Sequence, residues 1–366
     1  MRITFVSNPT VGGSLMAQAR PALNQAWGFY MADAKFNTGR SQWEVGGNFK
    51  LTNKVKTHRD YTETFTYPDG STLTRDETSR GGTMDNSFAN AWASYSYIKP
   101  DTTVFMAEFG LFQKLTDKFL YNGLLSLSDG SDDILLTDSH GDKGGTPSLS
   151  LYWQQNFARK QMLIVNFNSS FYFGRSYSNY LEQLPDARNP WDYVTSINTE
   201  IKDHNQAYAI EADYVKNWTN GRFTAGASYT ANRNRSRYDN LDGRIFHQRQ
   251  DKVYLFAEYF HRFGKWTATA GMGVQYTDFL FKETDQGTHT WSPRPQATIT
   301  YSLNQNHNFR LNFTSWQSTP SLAETNIVPQ QLDGFQWRVG NQNLKTANSY
   351  MQLIFSPHRS RCALTY

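Results

Sequence analysis

Trp266-Thr267-Ala268-Thr269-Ala270-Gly271-Met272-Gly273-Val274-Gln275-Tyr276 is the most regular stretch of the chain. Trp266, Ala268, Ala270, Met272, Val274 and Tyr276 fall on one face, and Thr267, Thr269, Gly271, Gly273 and Gln275 on the other. Alternation sustained this long is the pattern of a strand with two unlike faces. The apolar face is small or aliphatic in the middle and aromatic at both ends. The ten steps from Trp266 to Tyr276 cover roughly 33 Å at about 3.3 Å each. Tilted by about 40°, such a strand rises roughly 25 Å, the height of the apolar band on a transmembrane barrel. Aromatic rings at both ends are what the two membrane interfaces favour. The competing reading of the pattern is a large soluble β-protein with an aromatic core, such as an extracellular carbohydrate-binding protein.

The same scheme extends to the neighbouring segments. Val253, Leu255, Ala257 and Tyr259 alternate with Tyr254, Phe256, Glu258 and Phe260, and Arg262–Lys265 turns the chain. Tyr208, Ile210, Ala212 and Tyr214 alternate with Ala209, Glu211, Asp213 and Val215. After the Asn217–Gly221 break, Phe223, Ala225, Ala227 and Tyr229 oppose Thr224, Gly226, Ser228 and Thr230. Glu44, Glu108, Glu211, Asp213 and Glu258 all fall on polar faces, where a barrel would point them into its lumen. Charge is tolerated there because a lipid-facing charge near mid-membrane costs roughly 2–4 kcal/mol.

About fourteen strands can be read in this way. The connections between them alternate in length. Those at 37–40, 99–102, 156–160, 217–221, 262–265 and 304–308 are short, and those at 52–87, 113–147, 174–205, 231–250, 277–293 and 316–347 are long. In a meander this parity puts every long connection at one end, as in outer-membrane barrels with periplasmic turns and extracellular loops. The fold class expected is therefore an all-β, antiparallel up-and-down transmembrane barrel. Residues 119–126 could form a hairpin inside their loop or an extra strand that breaks the parity.

Composition agrees with this reading. Of the 366 residues, 15% are aromatic, and mean hydropathy is −0.66, too polar for a bundle of spanning helices. No apolar run approaches the roughly 18 residues such a helix needs. A net charge of +4 is too mild to argue for nucleic acid. A single cysteine, Cys362, excludes an internal disulfide framework. No nucleophile elbow, phosphate-binding loop or zinc motif is present, so neither an enzyme nor a cofactor is expected.

Few residues stand out as ligand contacts. Tyr177, Tyr180, Trp191 and Tyr193 crowd one predicted loop, where exposed rings could stack on a sugar or macrocycle. Arg233, Arg235 and Arg237 alternate at the base of another, a pattern suited to lipopolysaccharide phosphate or an anionic ligand. Asp129, Asp132 and Asp133 lack the spacing of a calcium loop and read as turn residues. The scattered histidines His140, His204, His247 and His289 give no metal site.

Thr319-Pro320-Ser321-Leu322, followed by Val339-Gly340-Asn341-Gln342-Asn343-Leu344-Lys345, resembles a passage near the end of TonB-dependent outer-membrane receptors of the Bacteroidetes type. Arg310 and Phe313 open the passage, and Gln342 stands where that family usually has proline. The resemblance implies a barrel of twenty-two strands around an N-terminal plug, and energy-coupled uptake of a scarce ligand with TonB as partner; the alternative function is that of a passive or adhesive outer-membrane barrel. On that reading residues 1–12 are the end of a plug or a lead-in strand, and 13–356 are barrel. Residues 357–366, with Pro357, Arg359, Arg361 and Cys362, form a non-barrel tail of frameshifted appearance. Met1–Phe5 lacks an apolar signal core, although a barrel must be exported, so the chain is expected to be an incomplete receptor whose plug lies upstream. Its outer surface is expected to meet lipid and lipopolysaccharide. The substrate, whether siderophore, glycan, peptide or cobalamin, is not legible.

Overall fold

The computed structural model describes residues 11–22, 26–189, 191–304 and 307–355. Most of the 1–12 segment, expected to be the end of a plug or a lead-in strand, and the tail at 357–366 lie outside the described residues. Within them the chain forms β1 (Val11–Pro21), β2 (Trp27–Thr38), β3 (Ser41–Thr52), β4 (Val55–Thr57), β5 (Tyr61–Thr66) and β6 (Thr72–Lys99). These are followed by β7 (Thr103–Leu127), β8 (Ile134–Phe157), β9 (Gln161–Gln183), β10 (Thr195–Asn217), β11 (Gly221–Tyr238) and β12 (Arg244–Phe263). The last are β13 (Trp266–Phe281), β14 (Gln286–Asn304), β15 (His307–Ser318), β16 (Gln330–Gln331), β17 (Trp337–Arg338) and β18 (Ala347–Phe355).

One antiparallel sheet takes these strands in chain order, from β1 through β3, β6 to β15 and then β18. β4 and β5 continue the line of β3 along the far half of β6. The path holds fourteen strands, and among the described residues β1 and β18 are its two ends. This is the up-and-down all-β arrangement that the alternation and the parity of connections predict.

Most of the segments expected to be long loops are strand instead. Residues 113–127 belong to β7 and 134–147 to β8, so 119–126 adds no strand and the parity holds. Likewise 174–183, 195–205, 231–238 and 244–250 extend β9 to β12 as continuous ladders. Period-two hydropathy ends where both faces become polar, but the backbone donors and acceptors still need partners. Pairing therefore runs on after the pattern stops. Among the described residues only 319–346, which opens with Thr319-Pro320 and shows no alternation, leaves the sheet as a long connection.

The tight ends of the hairpins are built by left-handed backbone. Gly39 and Gly264 have φ of 57° and 59°. At the β8–β9 turn two side-chain-bearing residues, Arg159 and Lys160, take φ of 60° and 59°. Consecutive positive φ values are those of the mirror-image turn whose twist matches two right-twisted strands.

The two faces of the sheet differ in what covers them. Residues 319–346 lie over the face that carries Tyr238, Phe279 and Phe281; we call this face inner. The opposite, outer face is bare and apolar: Val45, Ile210, Leu255 and Met272 are each about half exposed or more. Register puts Trp266 opposite Tyr301 and Tyr276 opposite Trp291, and these pairs touch at 4.6 and 4.8 Å between ring centroids. Ala268 and Ile299, Ala270 and Ala297, Met272 and Pro295, and Val274 and Pro293 pair between them. The apolar band is thus closed at both rims by a cross-strand aromatic clamp, and the Trp43–Tyr95 pair, at 4.4 Å, marks the short-turn rim where β3 lies beside β6.

Ala268→Arg is expected to impair outer-membrane assembly far more than Thr267→Arg, by roughly 2–4 kcal/mol; equal heat-modifiable yield of the two variants in membrane fractions would contradict the face assignment. A peptide tag after Pro185, in the 184–194 connection, should be labelled on intact cells, and one after Thr219 only after permeabilisation. The reverse pattern would invert the orientation.

Candidate functional site

The segment 319–346 forms a strap across the inner face. At its start, Ser321 and Glu324 cap one turn reciprocally: the Ser321 N–H and hydroxyl donate to Glu324 Oε2 at 2.7 and 2.8 Å, and the Glu324 N–H donates to Ser321 Oγ at 3.2 Å. This Ser-x-x-Glu arrangement satisfies donors that a short turn would leave orphaned. Those bonds, the Ser321 N–H first, hold the Glu324 carboxyl below its ordinary range. Leu322, Ile327 and Val328 then pack on Tyr238, Phe246, Phe279 and Phe281. Gln248 and Gln250 of β12 donate to the Leu322 and Pro320 carbonyls at 2.9 and 3.1 Å, and Asn326 donates to the Tyr238 hydroxyl at 2.8 Å.

The strap closes on itself where its two motif segments meet. The Gly340 N–H donates to the Asn326 carbonyl at 2.7 Å and the Asn341 N–H to the Glu324 carbonyl at 2.8 Å. A Cβ at Gly340 would lie 2.4 Å from Asn326 O and 2.6 Å from Glu324 O. Both are backbone atoms, so only glycine allows this approach. Leu322 and the Val339-Gly340-Asn341 run thus belong to one folded unit, with the β16–β17 pair at its far end.

That far end is fastened to β5 and β6 by Arg75. Its guanidinium is 2% exposed and donates from Nη2 to Asp333 Oδ2 at 2.7 Å and from Nε to Glu63 Oε2 at 3.2 Å. It also lies 5.2 Å from the Phe65 ring and 5.7 Å from the Phe335 ring, which stack on each other at 5.2 Å. Asp333 uses its other oxygen to accept the Phe335 and Gln336 N–H groups, both at 2.7 Å. Burial alone would lower the Arg75 pKa, but the bonds to Asp333 and Glu63 outweigh it and raise it, so the cation is permanent. Beside it Arg59 bonds Glu77 at 2.7 Å and sits 4.3 Å from the Tyr121 ring. Glu77, Glu182 and Tyr121 are likewise buried. These charged groups stand beside a small apolar cluster of Tyr121, Leu125 and Leu136 on the inner wall.

The predicted ring cluster does not converge. Tyr180 points inward, donates to Glu182 Oε1 at 2.8 Å and is pushed up in pKa by its burial. Tyr177, three residues away on a strand, lies on the other face. Trp191 is 77% exposed in the 184–194 connection, beside Tyr193. Arg233, Arg235 and Arg237 do share a face, but as part of β11 and not of a loop base; that face is the outer one. Arg233 bonds Asp251 at 2.7 Å, and Arg237 lies 3.2 Å from Asp239. Glu44, Glu108, Glu211, Asp213 and Glu258 fall on the inner face by register. Glu44 meets Lys35 at 3.2 Å and Glu258 meets Gln296 at 2.7 Å. Asp129 accepts the N–H and hydroxyl of Ser131 and is a turn residue. Among the described residues no group of three His, Cys, Asp or Glu is arranged to hold a metal.

Arg75 and its partners are absent from the sequence reading, because Glu63, Arg75 and Asp333 come together only through the fold. The one available signal was the density of charge and aromatic residues in Tyr61–Arg75.

A bare apolar band between aromatic rims, a polar inner wall and an inward strap define an integral outer-membrane barrel protein. The model of the outer membrane protein beta-barrel family matches residues 155–351. That is more than half of the chain, and the chain belongs to this family, whose place is the bacterial outer membrane. The match runs from the end of β8 into β18 and includes the whole strap. No curated protein matches the chain significantly.

Asp333→Ala should leave Arg75 buried with one carboxylate and loosen the strap at this end by about 3 kcal/mol. Amide exchange at 330–338 in the full-length protein should then quicken roughly a hundredfold, with β11 to β14 unchanged. A change below threefold would show that Arg75 does not fasten the strap.

Proposed function

We propose that this chain is the barrel portion of a TonB-dependent receptor that takes up a scarce ligand across the outer membrane with energy from the inner membrane. The observation that carries the reading is the strap. Its Thr319–Leu322 and Val339–Lys345 segments are those that resemble the receptor passage, and they fold into one unit over the inner face. Two further features support it. Fourteen strands on one path exceed the eight that side chains alone can fill, so the enclosed space suits a solute or a plug. β6 to β10 also rise well past the apolar band, which gives a tall polar vestibule to collect a ligand outside the membrane. On this reading TonB would act through the plug that the resemblance implies. The protein performs no catalysis on this reading and needs no cofactor.

The test is ligand accumulation by cells carrying the full-length protein. Uptake should fall to background when the TonB complex is deleted or a protonophore is added. Flux that persists unchanged under both treatments would make the protein a passive barrel instead.

A further inference from the structure

Register produces a row of like charges on the outer face that no segment of the sequence displays. Lys143 of β8 pairs with Arg175 of β9, Arg175 with Lys202 of β10, and Lys202 with Arg237 of β11. Four cations therefore stand directly opposite one another across four adjacent strands. Like charges placed in this way destabilise a sheet. Glu200 and Asp239 lie among them and pair with three of the four: Arg175 and Lys202 reach Glu200 at 2.5 and 3.3 Å, and Lys202 and Arg237 reach Asp239 at 3.3 and 3.2 Å. Half of the positive charge is unmatched, and among the described residues Lys143 has no ion-pair partner. Lys143 and Arg175 border a hollow of about 640 Å³ together with the carboxylates of Asp142, Glu200 and Asp239, and Tyr177, Asn179 and Asn198 add polar edges; Lys202 and Arg237 continue the row beyond it. Arg175 and Arg237 are more than half exposed.

The height of the row identifies what it meets. Two residues below Arg175 on the same face is Phe173, an exposed ring, and lower on these strands follow Phe171, Ile210 and Tyr229 of the apolar band. The row thus stands above the apolar band. A second tier lies toward the membrane, where Arg233 pairs with Arg249 and both contact Asp251. From Arg233 to Arg237 is four residues, about 13 Å along the strand and about 10 Å in height at the tilt of a barrel. A phospholipid headgroup layer adds only about 5–8 Å on each side of the hydrocarbon. The cations therefore reach past it, into the zone occupied by the sugars of the outer leaflet.

We infer that this wall of β8 to β11 is a docking site for lipopolysaccharide, with Lys143, Arg175, Lys202 and Arg237 binding the phosphate and carboxylate groups of its sugar core. Arginine and lysine suit such oxygens through charge-assisted hydrogen bonds, and the asparagines offer donors to neighbouring hydroxyls. The site is independent of whether the barrel is energised, since it faces away from the lumen.

The test uses full-length protein extracted from outer membranes, with bound lipopolysaccharide measured by phosphate and acidic-sugar content after gel filtration. Wild-type protein should retain it, and the double variant Arg175→Glu, Lys202→Glu should retain at least fivefold less. Arg175→Lys with Lys202→Arg should retain the wild-type amount. Raising NaCl to about 0.5 M should release lipopolysaccharide from the wild type, because exposed charges are screened at that ionic strength. Purified lipopolysaccharide should displace a labelled copy, whereas phosphatidylglycerol at equal phosphate should not. Equal retention by the charge-reversed protein, or equal displacement by phosphatidylglycerol, would overturn the assignment. Should the reversed variant fail to reach the membrane, the salt and competition arms on wild-type protein decide it alone.

Discussion

A backbone crossing hydrocarbon must hydrogen-bond every N–H and C=O within the protein, at a cost of several kcal/mol for each one left unpaired. Strands meet this condition only through neighbours, so the unit of this structure is the ladder and not the segment. The interior strands from β6 to β15 each pair with a neighbour on both sides, although on β14 the stretch Trp291–Pro295 pairs with β13 alone. Once pairing is imposed, the pleat sends alternate residues to lipid and to the interior. Trp266–Tyr276 shows that rule without exception. The aromatic clamps at Trp266–Tyr301 and Tyr276–Trp291 then mark where the solvent changes.

Beyond those clamps the same ladder serves a different end. Both faces can be polar, and the hairpins continue as paired ribbons above the band. Their inner side carries Arg59, Arg75, Glu63 and Glu77, and their outer side carries the row from Lys143 to Arg237. The strap joins the two flanks of the interior, apolar at the Val328 end and ionic at the Asp333 end. A buried ion pair is weak as a source of net stability, since desolvation offsets most of its attraction. Its use here is positional. Arg75 is left with uncompensated charge unless Asp333 comes to it, and so it selects one placement of the strap among many.

The band was legible in the sequence because lipid on one side and water on the other enforce period two. Glu211 and Asp213 could be assigned to the interior from that alone. The extensions were not legible. In Ser196–Gln206 both faces are mostly polar, so hydropathy carries no period and the stretch reads as loop, although it is paired with β9 throughout and with β11 from Ile201 onward. Residues 319–346 read correctly as a connection, through Pro320 and the missing alternation, but nothing local states which way it folds. Contacts such as Arg75–Asp333, 258 residues apart, and rows such as Lys143–Arg175–Lys202–Arg237 are products of register across several hairpins. No single window of sequence contains them. The predicted cluster of Tyr177 and Tyr180 failed for the opposite reason: closeness in sequence on a strand places residues three apart on opposite faces.

The central claim is that the sheet stands in a membrane with the Trp266-to-Tyr276 face toward lipid and its alternate residues toward an aqueous interior. Single spin labels placed in turn from 266 to 281 in the reconstituted full-length protein test it most directly, by their relaxation with oxygen and with a water-soluble nickel chelate. Oxygen accessibility should peak at 268, 270, 272 and 274, nickel accessibility at 267, 269, 271 and 273, and the oxygen maxima should fade beyond 276. Uniform nickel access along both faces, or oxygen maxima on the Thr267 face, would contradict it.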